Sequence, residues 1–110
     1  MTRALPFALA ALALAACGPT VGDPCTVPAD CGGQFCITRD YAPGGYCTRP
    51  CTLADANSCP AGTYCLRDAI AKDTPGCFRL CKSQAECRTG YSCRIASEGL
   101  QAVCIGPAGL

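Results

Sequence analysis

The chain has 110 residues, thirteen of them cysteine, and its nine basic residues nearly balance its eight acidic ones, for a formal net charge of +1. This balance, with no long run of either sign, argues against a nucleic-acid-binding surface and against a charged membrane-surface helix. The chain contains no histidine, which removes the commonest general base and a frequent metal ligand.

The N-terminus has the pattern of an export signal. Arg3 precedes an uncharged, Ala/Leu-rich run of thirteen residues, Ala4 to Ala16, that ends in small side chains. A membrane-spanning helix needs about 20 apolar residues, so this run is too short to span a bilayer. We therefore expect residues 1–16 to be a signal peptide that is absent from the mature chain.

The leader ends in Leu14-Ala15-Ala16-Cys17, which resembles the lipobox of bacterial lipoproteins. In that family a signal peptidase cuts before the cysteine, whose thiol carries a diacylglycerol and whose new amino group is then acylated. The resemblance implies lipidation at Cys17, with this covalent lipid as the only attached group and no other cofactor. Family members with Asp after the cysteine tend to stay in the inner membrane, so Gly18 favours the outer membrane. An ordinary cleaved signal with a chance cysteine is the alternative.

The mature chain is poor in core-forming side chains. From Cys17 onward there are fourteen Leu, Ile, Val and Phe residues in 94, about 15%, which is low for a packed globular domain. Twelve cysteines remain once Cys17 is set aside, an even number in an oxidising compartment. We therefore expect six disulfide bridges to replace most of the missing core.

These twelve cysteines form three sets of four with the spacing C-x5–7-C-x4–5-C-x10–11-C. They define three units, at residues 25–50, 51–80 and 81–110, after a lipidated N-terminus and tether at 17–24. The cysteines are Cys25, Cys31, Cys36 and Cys47, then Cys51, Cys59, Cys65 and Cys77, then Cys81, Cys87, Cys93 and Cys104. A glycine lies three residues before each third cysteine, at Gly33, Gly62 and Gly90, which indicates either a positive φ in a tight turn or the close approach of two chain segments. An aromatic residue follows each glycine, at Phe35, Tyr64 and Tyr91.

Each unit is predicted to form a β-hairpin between its third and fourth cysteines, preceded by a loop or a single helical turn. The predicted turns are Ala42 to Gly45 between strands Phe35 to Asp40 and Tyr46 to Arg49, Asp73 to Gly76 in unit two, and Ser97 to Gly99 before Leu100 to Ile105 in unit three. The predicted fold class is a small, disulfide-rich, β-hairpin-based protein of three tandem four-cysteine repeats. Such units can pack together or remain extended.

Four cysteines in a unit allow three local pairings. We favour first-to-third and second-to-fourth, because the second bridge would tie the far end of the hairpin to the loop. Bridges across the C-x3-C junctions between units are an alternative.

The segment from Cys81 to Cys93 resembles the C-x5-C-x2-G-x2-C element of Dickkopf-type and related EGF-like cysteine-rich modules, and similar arrays occur in bacterial cysteine-rich lipoproteins. The resemblance extends over the repeats from Cys25 to Cys104 and implies a disulfide-module architecture, but no partner. Unit one departs from it, with four residues rather than five between its second and third cysteines.

The sequence offers little catalytic or metal chemistry. It has no C-x2-C, the usual spacing of zinc, iron–sulfur and thiol–disulfide sites, so we expect no metal site. Asp30, Asp55 and Glu86 lie at or near the second cysteine of each unit, where carboxylates either do acid/base work or accept local backbone hydrogen bonds. We favour the second role and expect no enzyme.

The candidate binding residues are aromatic residues and repeated junction arginines that we expect on the surface: Tyr46, Arg49, Tyr64, Arg79 and Tyr91, with Tyr41 and Phe78 as further exposed aromatics. They suit either contact with a partner or the covering of bridges in a thin module. We expect a lipid-anchored envelope protein that binds another envelope protein or a polysaccharide, or that is purely structural. The alternative is a protease-inhibitor-like module that presents Ala42 to Gly45 or Ala69 to Pro75 as bait.

Overall fold

The computed structural model of this chain describes residues 18–96 and 101–107. Their strands form three separate antiparallel hairpins: β1 (Phe35–Ile37) with β2 (Tyr46–Thr48), β3 (Thr63–Ala71) with β4 (Thr74–Arg79), and β5 (Ser92–Ile95) with β6 (Ala102–Ile105). A single 3₁₀ turn precedes each hairpin, at Pro28–Cys31, Ala56–Ser58 and Gln84–Glu86. The fold class expected from the cysteine spacing is confirmed.

Six disulfides pair the cysteines of each unit first to third and second to fourth, as expected from the sequence. The bridges are Cys25–Cys36, Cys31–Cys47, Cys51–Cys65, Cys59–Cys77, Cys81–Cys93 and Cys87–Cys104. In every hairpin the third and fourth cysteines lie directly opposite each other. Opposed residues of an antiparallel pair project from the same face, so each hairpin presents two sulfurs side by side to the preceding loop.

The repeated glycine meets a conformational need. Gly33, Gly62 and Gly90 have φ values of 88°, 81° and 91°, in the region that side chains with a Cβ rarely adopt. A Cβ at Gly33 or Gly62 would have no neighbour within 4 Å, so close approach of another segment does not explain the glycine there. These two glycines are therefore explained by turn geometry alone.

The segment before each unit packs along the hairpin of that unit. In all three units the N–H of the first cysteine donates to a carbonyl two or three residues before the fourth cysteine: Cys25 to Gly44 (3.4 Å), Cys51 to Pro75 (3.3 Å) and Cys81 to Ala102 (3.1 Å). Both C-x3-C junctions thus pair with the next hairpin through an isolated β-bridge, Pro50 with Gly76 and Leu80 with Val103, and no described disulfide crosses either junction.

The tether also packs along a hairpin, that of unit one. The N–H of Gly22 donates to the carbonyl of Cys47 (2.8 Å), and the N–H of Cys47 donates to the carbonyl of Asp23 (2.9 Å). The Asp23 carboxylate also accepts from the backbone N–H of Thr20 (2.8 Å). The segment expected to be a tether, Gly18 to Pro24, is therefore part of the folded body from about Thr20 onward.

Two hairpins differ from the strand limits expected. β1 ends at Ile37 rather than Asp40, and the turn predicted at Asp73 to Gly76 is wrong, because residues 74–76 belong to β4. The reversal lies at Lys72-Asp73, between the paired residues Ala71 and Thr74. Asp73 adopts the left-handed conformation (φ 63°), and its N–H donates to the Asp68 carboxylate at 2.6 Å, which stabilises the turn there. The turn predicted at Ser97 to Gly99 lies outside the described residues.

The three units share one apolar core. Its largest fully buried side chains include Tyr46 from unit one, Phe78 from unit two, and Tyr91, Val103 and Ile105 from unit three. A second, smaller cluster in unit one consists of cysteines alone: Cys25, Cys31 and Cys47, with Cys36 packed against them. The repeats thus pack into one body rather than remaining extended.

Candidate functional site

Three aromatics expected on the surface are buried. Tyr46, Phe78 and Tyr91 expose 1%, 0% and 2% of their surface, so the expectation that Tyr46 and Tyr91 are exposed binding residues is wrong. A chain with so few large aliphatic residues needs its aromatics to fill the space where the units meet. The alternative role considered for them was the covering of bridges in a thin module; the structure instead buries them in a core that the three units share.

These three residues, one from each unit, form what we call the aromatic seam. The Tyr46 ring stacks on Phe78 with 4.3 Å between centroids and 13° between planes, and it lies 5.7 Å from Tyr91. Tyr46 Oη accepts a hydrogen bond from the backbone N–H of Arg79 (2.8 Å), and Tyr91 Oη donates to the carbonyl of Pro43 (2.9 Å). Burial raises the pKa of both phenols, so both are neutral at ordinary pH.

Arg88, which the sequence analysis missed, joins unit three to the tether and unit one. Its guanidinium lies 4.5 Å from the centroid of the Tyr91 ring. It donates to the carbonyls of Gly22 (2.7 Å), Pro43 (2.8 Å) and Gly45 (2.5 Å). Arg88 follows the second cysteine of its unit, where the other units have Gly32 and Pro60. This difference between the repeats is the feature of the sequence that could have singled out Arg88.

Arg49 and Arg79 lie together on the surface. Both side chains are exposed, and both line a groove of about 610 Å³ between unit one, unit two and the N-terminal segment. The other polar side chains of the groove include those of Thr20, Gln34 and Thr63, and Pro19 forms part of the wall at its N-terminal side. The repeated junction arginines thus converge on one concave surface.

The groove lining carries positive charge, and one carboxylate is hydrogen-bonded to it: Asp23 accepts from the backbone N–H (2.8 Å) and the hydroxyl (3.2 Å) of the groove residue Thr20. No Asp or Glu belongs to its lining, and within residues 18–96 and 101–107 neither guanidinium forms a hydrogen bond or an ion pair. The Arg79 stem packs against Gly22, where a Cβ would lie 2.6 Å from Arg79 Cδ. The backbone of Arg49 is fixed as well, because its carbonyl accepts from the N–H of Cys77 (3.2 Å). Rigid backbone therefore presents two guanidinium groups that form no hydrogen bond with the part of the chain that the structure describes.

Tyr64 does not join this surface. It is half-buried on β3, opposite Phe78, and packs against the shared core. Tyr41 is also half-buried, and its hydroxyl donates to the carbonyl of Ala69 (2.6 Å). Of the five candidate binding residues, only Arg49 and Arg79 come together at an exposed concave site.

The two bait loops differ in accessibility. Ala42 and Gly45 are buried, and the carbonyls of Pro43 and Gly45 accept hydrogen bonds from Arg88, so the loop from Ala42 to Gly45 cannot enter a protease active site. In the segment from Ala69 to Pro75, Ala69 is fully buried, and the exposed part is Lys72-Asp73 at the tip of the hairpin.

The other polar clusters have structural partners. Three groups of cysteine sulfurs lie within 4.8 Å of one another, but every cysteine in them is disulfide-bonded and offers no thiolate to a metal. Asp30, Asp55 and Glu86 accept backbone hydrogen bonds from Thr26 (2.9 Å), Asn57 (2.9 Å) and Lys82 (2.9 Å), which confirms the local capping role. The backbone N–H groups of Thr26 and Val27 lower the pKa of Asp30.

Comparison of the chain with protein-family models, with curated proteins and with solved structures finds no match. Among the residues that the structure describes, no helix is long and apolar enough to cross a membrane.

Proposed function

We propose that this protein is a lipid-anchored, cysteine-rich component of the bacterial cell envelope that acts as a rigid binding module and not as an enzyme. The observation that carries the proposal is the groove with Arg49 and Arg79. It offers two guanidinium groups that have no partner among the described residues, on a backbone that hydrogen bonds and disulfides hold in place. Such a surface suits an anionic ligand.

The anchor is supported by the sequence of the leader. Arg3, the apolar run and the lipobox ending in Cys17 form a coherent export and lipidation signal. Six bridges also suit an oxidising compartment such as the periplasm or the cell surface. The proposed location is the outer membrane, to which the lipid on Cys17 would anchor the protein.

A binding role without catalysis is supported by the state of the chemically active groups. Tyr46 and Tyr91 are buried and neutral, and Asp30, Asp55 and Glu86 are engaged by local backbone groups. What the groove offers a ligand is charge and hydrogen bonding. A purely structural protein would instead tolerate substitution of both groove arginines with no change in any binding measurement.

The intact mass of the unreduced protein, extracted from native membranes, tests the proposed lipid anchor and the six disulfides together. We expect a chain that starts at Cys17, heavier by its acyl groups and lighter by twelve hydrogens for six bridges. A Cys17→Ser variant is the matched control and should lack the acyl mass while keeping the bridges. A wild-type chain without acyl mass, recovered in the soluble fraction, would contradict the proposed anchor.

A further inference from the structure

We propose that the groove lined by Arg49 and Arg79 binds the phosphate of an anionic phospholipid headgroup in the membrane that holds the anchor. The inference deepens the proposed function and rests on it, because the location of the groove at the membrane follows from lipidation of Cys17. It assigns a ligand class to the groove and an orientation to the module.

The position of the groove supports this ligand. Pro19 lines the groove and is two residues from Cys17, a separation of at most about 7 Å for extended chain. The pairing of Gly22 and Asp23 with Cys47 fixes the following residues to the body, so the groove cannot swing far from the anchor. A diacylglycerol on Cys17 would lie at the depth of the diacylglycerol of neighbouring phospholipids. The phosphates of those lipids are the next groups outward.

The chemistry of the groove supports the same ligand. A guanidinium presents several N–H donors in a plane that matches phosphate oxygens, and it stays charged at any physiological pH. Arg49 and Arg79 supply two such groups, and the exposed carboxamide of Gln34 lies in the same groove. Within the described residues no carboxylate belongs to the lining, and the neighbouring Asp23 carboxylate is hydrogen-bonded to Thr20.

Proximity to the anchor decides between lipid and the other anionic partners. An acidic envelope protein or polysaccharide could satisfy two arginines, but it would have to enter a site that lies against the headgroup layer. Anionic phospholipids are present there at high local concentration without diffusing to the site. Each basic residue near an anionic membrane surface contributes about 1 kcal/mol to binding, so two make a measurable difference.

The test uses the mature chain without its lipid, so that binding reports the groove alone. Residues 17–110 with Cys17→Ser are exported behind a conventionally cleaved signal peptide; this part holds all six bridges and the shared core. Cosedimentation is measured with vesicles of phosphatidylcholine alone and of phosphatidylcholine with phosphatidylglycerol. We expect binding that requires phosphatidylglycerol, and a partition coefficient about thirtyfold lower for the Arg49→Gln/Arg79→Gln variant.

Two further variants separate a built site from general attraction. Arg39→Gln/Lys82→Gln removes two exposed positive charges outside the groove and should lower binding by less than threefold. Arg49→Lys/Arg79→Lys keeps the groove charge but loses the planar donors, so it should recover only part of the binding that the Gln variant loses. The unreduced mass of each variant, lighter by twelve hydrogens, verifies that its bridges have formed.

Equal losses in the groove variant and in the charge control would overturn the proposal, as would binding to an acidic polysaccharide or protein without binding to phosphatidylglycerol vesicles. The lipid anchor can be wrong independently of the phosphate site. If native Cys17 carries no acyl mass but vesicle binding still depends on the groove, the anchor is contradicted and the phosphate site is supported.

Discussion

The two buried clusters of this protein differ in what they are made of. The smaller cluster, in unit one, consists of Cys25, Cys31 and Cys47 with Cys36 beside them, whereas the shared core is built around the aromatic seam and its aliphatic neighbours and also includes both disulfides of unit three. The first cluster lies within one repeat, and the second takes side chains from all three. The difference indicates that bridges order each repeat and that aromatic packing joins the repeats into one body.

The largest effect is expected in the aromatic seam. Phe78→Ala removes a fully buried ring that stacks on Tyr46, and it should lower the free energy of unfolding by about 3–5 kcal/mol. Urea unfolding with the bridges intact measures the loss. Phe35→Ala, at a side chain that is 47% exposed, is the matched control and should change stability by less than about 0.5 kcal/mol. Similar losses in the two variants would contradict the assignment of the seam.

Removal of one bridge from the cysteine cluster should have a smaller and more local effect. Cys31→Ala/Cys47→Ala opens a bridge with a sequence separation of 16, which should cost about 3 kcal/mol. Amide hydrogen exchange should rise mainly in unit one, since its other bridge and the seam remain. Equally faster exchange in units two and three would show that this bridge also joins the repeats.

Arg88→Met tests the polar contact between units one and three. It keeps much of the side-chain length but removes the donors to the carbonyls of Gly22, Pro43 and Gly45, and we expect a loss of about 2 kcal/mol. The control is Arg39→Met, at an exposed arginine, with an expected change within about 0.5 kcal/mol. A loss of stability no larger than that of the control would contradict the role of Arg88 in joining units one and three.

The buried phenols predict a pH dependence. Burial raises the folded-state pKa of Tyr46 above its ordinary value of 10.0, so its contribution to stability is present below pH 10 and is lost as pH rises toward the folded-state pKa. The slope should rise from about 0.7 kcal/mol per pH unit at pH 10, where half of the unfolded-state phenol is ionised, toward about 1.4 at higher pH. Urea unfolding at pH 9, 10 and 11 measures the slope, and Tyr46→Phe should reduce it. An unchanged slope in that variant would assign the dependence to other groups.

The local features could be predicted from the sequence because they depend on short separations. Fixed spacing brings the third and fourth cysteines of each unit opposite each other, which indicated the hairpins and favoured one bridging pattern among the three local ones. The two-residue turn at Lys72-Asp73 was missed, because its stability depends on a contact from Asp68 that the turn residues themselves do not indicate.

The aromatic seam could not be predicted from the repeat, because its residues occupy different repeat positions. Tyr46 precedes the fourth cysteine of its unit, Phe78 follows the fourth cysteine, and Tyr91 lies two residues before the third. The aromatics that lie between the repeated glycine and the third cysteine have unlike environments: Phe35 is exposed, Tyr64 is half-buried and Tyr91 is buried. Packing between units selects the side chains that face inward, and that selection is not periodic. The groove was anticipated only through the matching positions of Arg49 and Arg79.

The central claim is that three disulfide-stapled repeats form one cooperative body. Residue-resolved NMR during urea unfolding, with bridges intact, tests it through one buried position in each unit: Tyr46, Phe78 and Tyr91. We expect a single midpoint for all three, because the seam cannot open in one unit without exposing its partners in the others. Three separated midpoints would show repeats that unfold independently and would contradict the account.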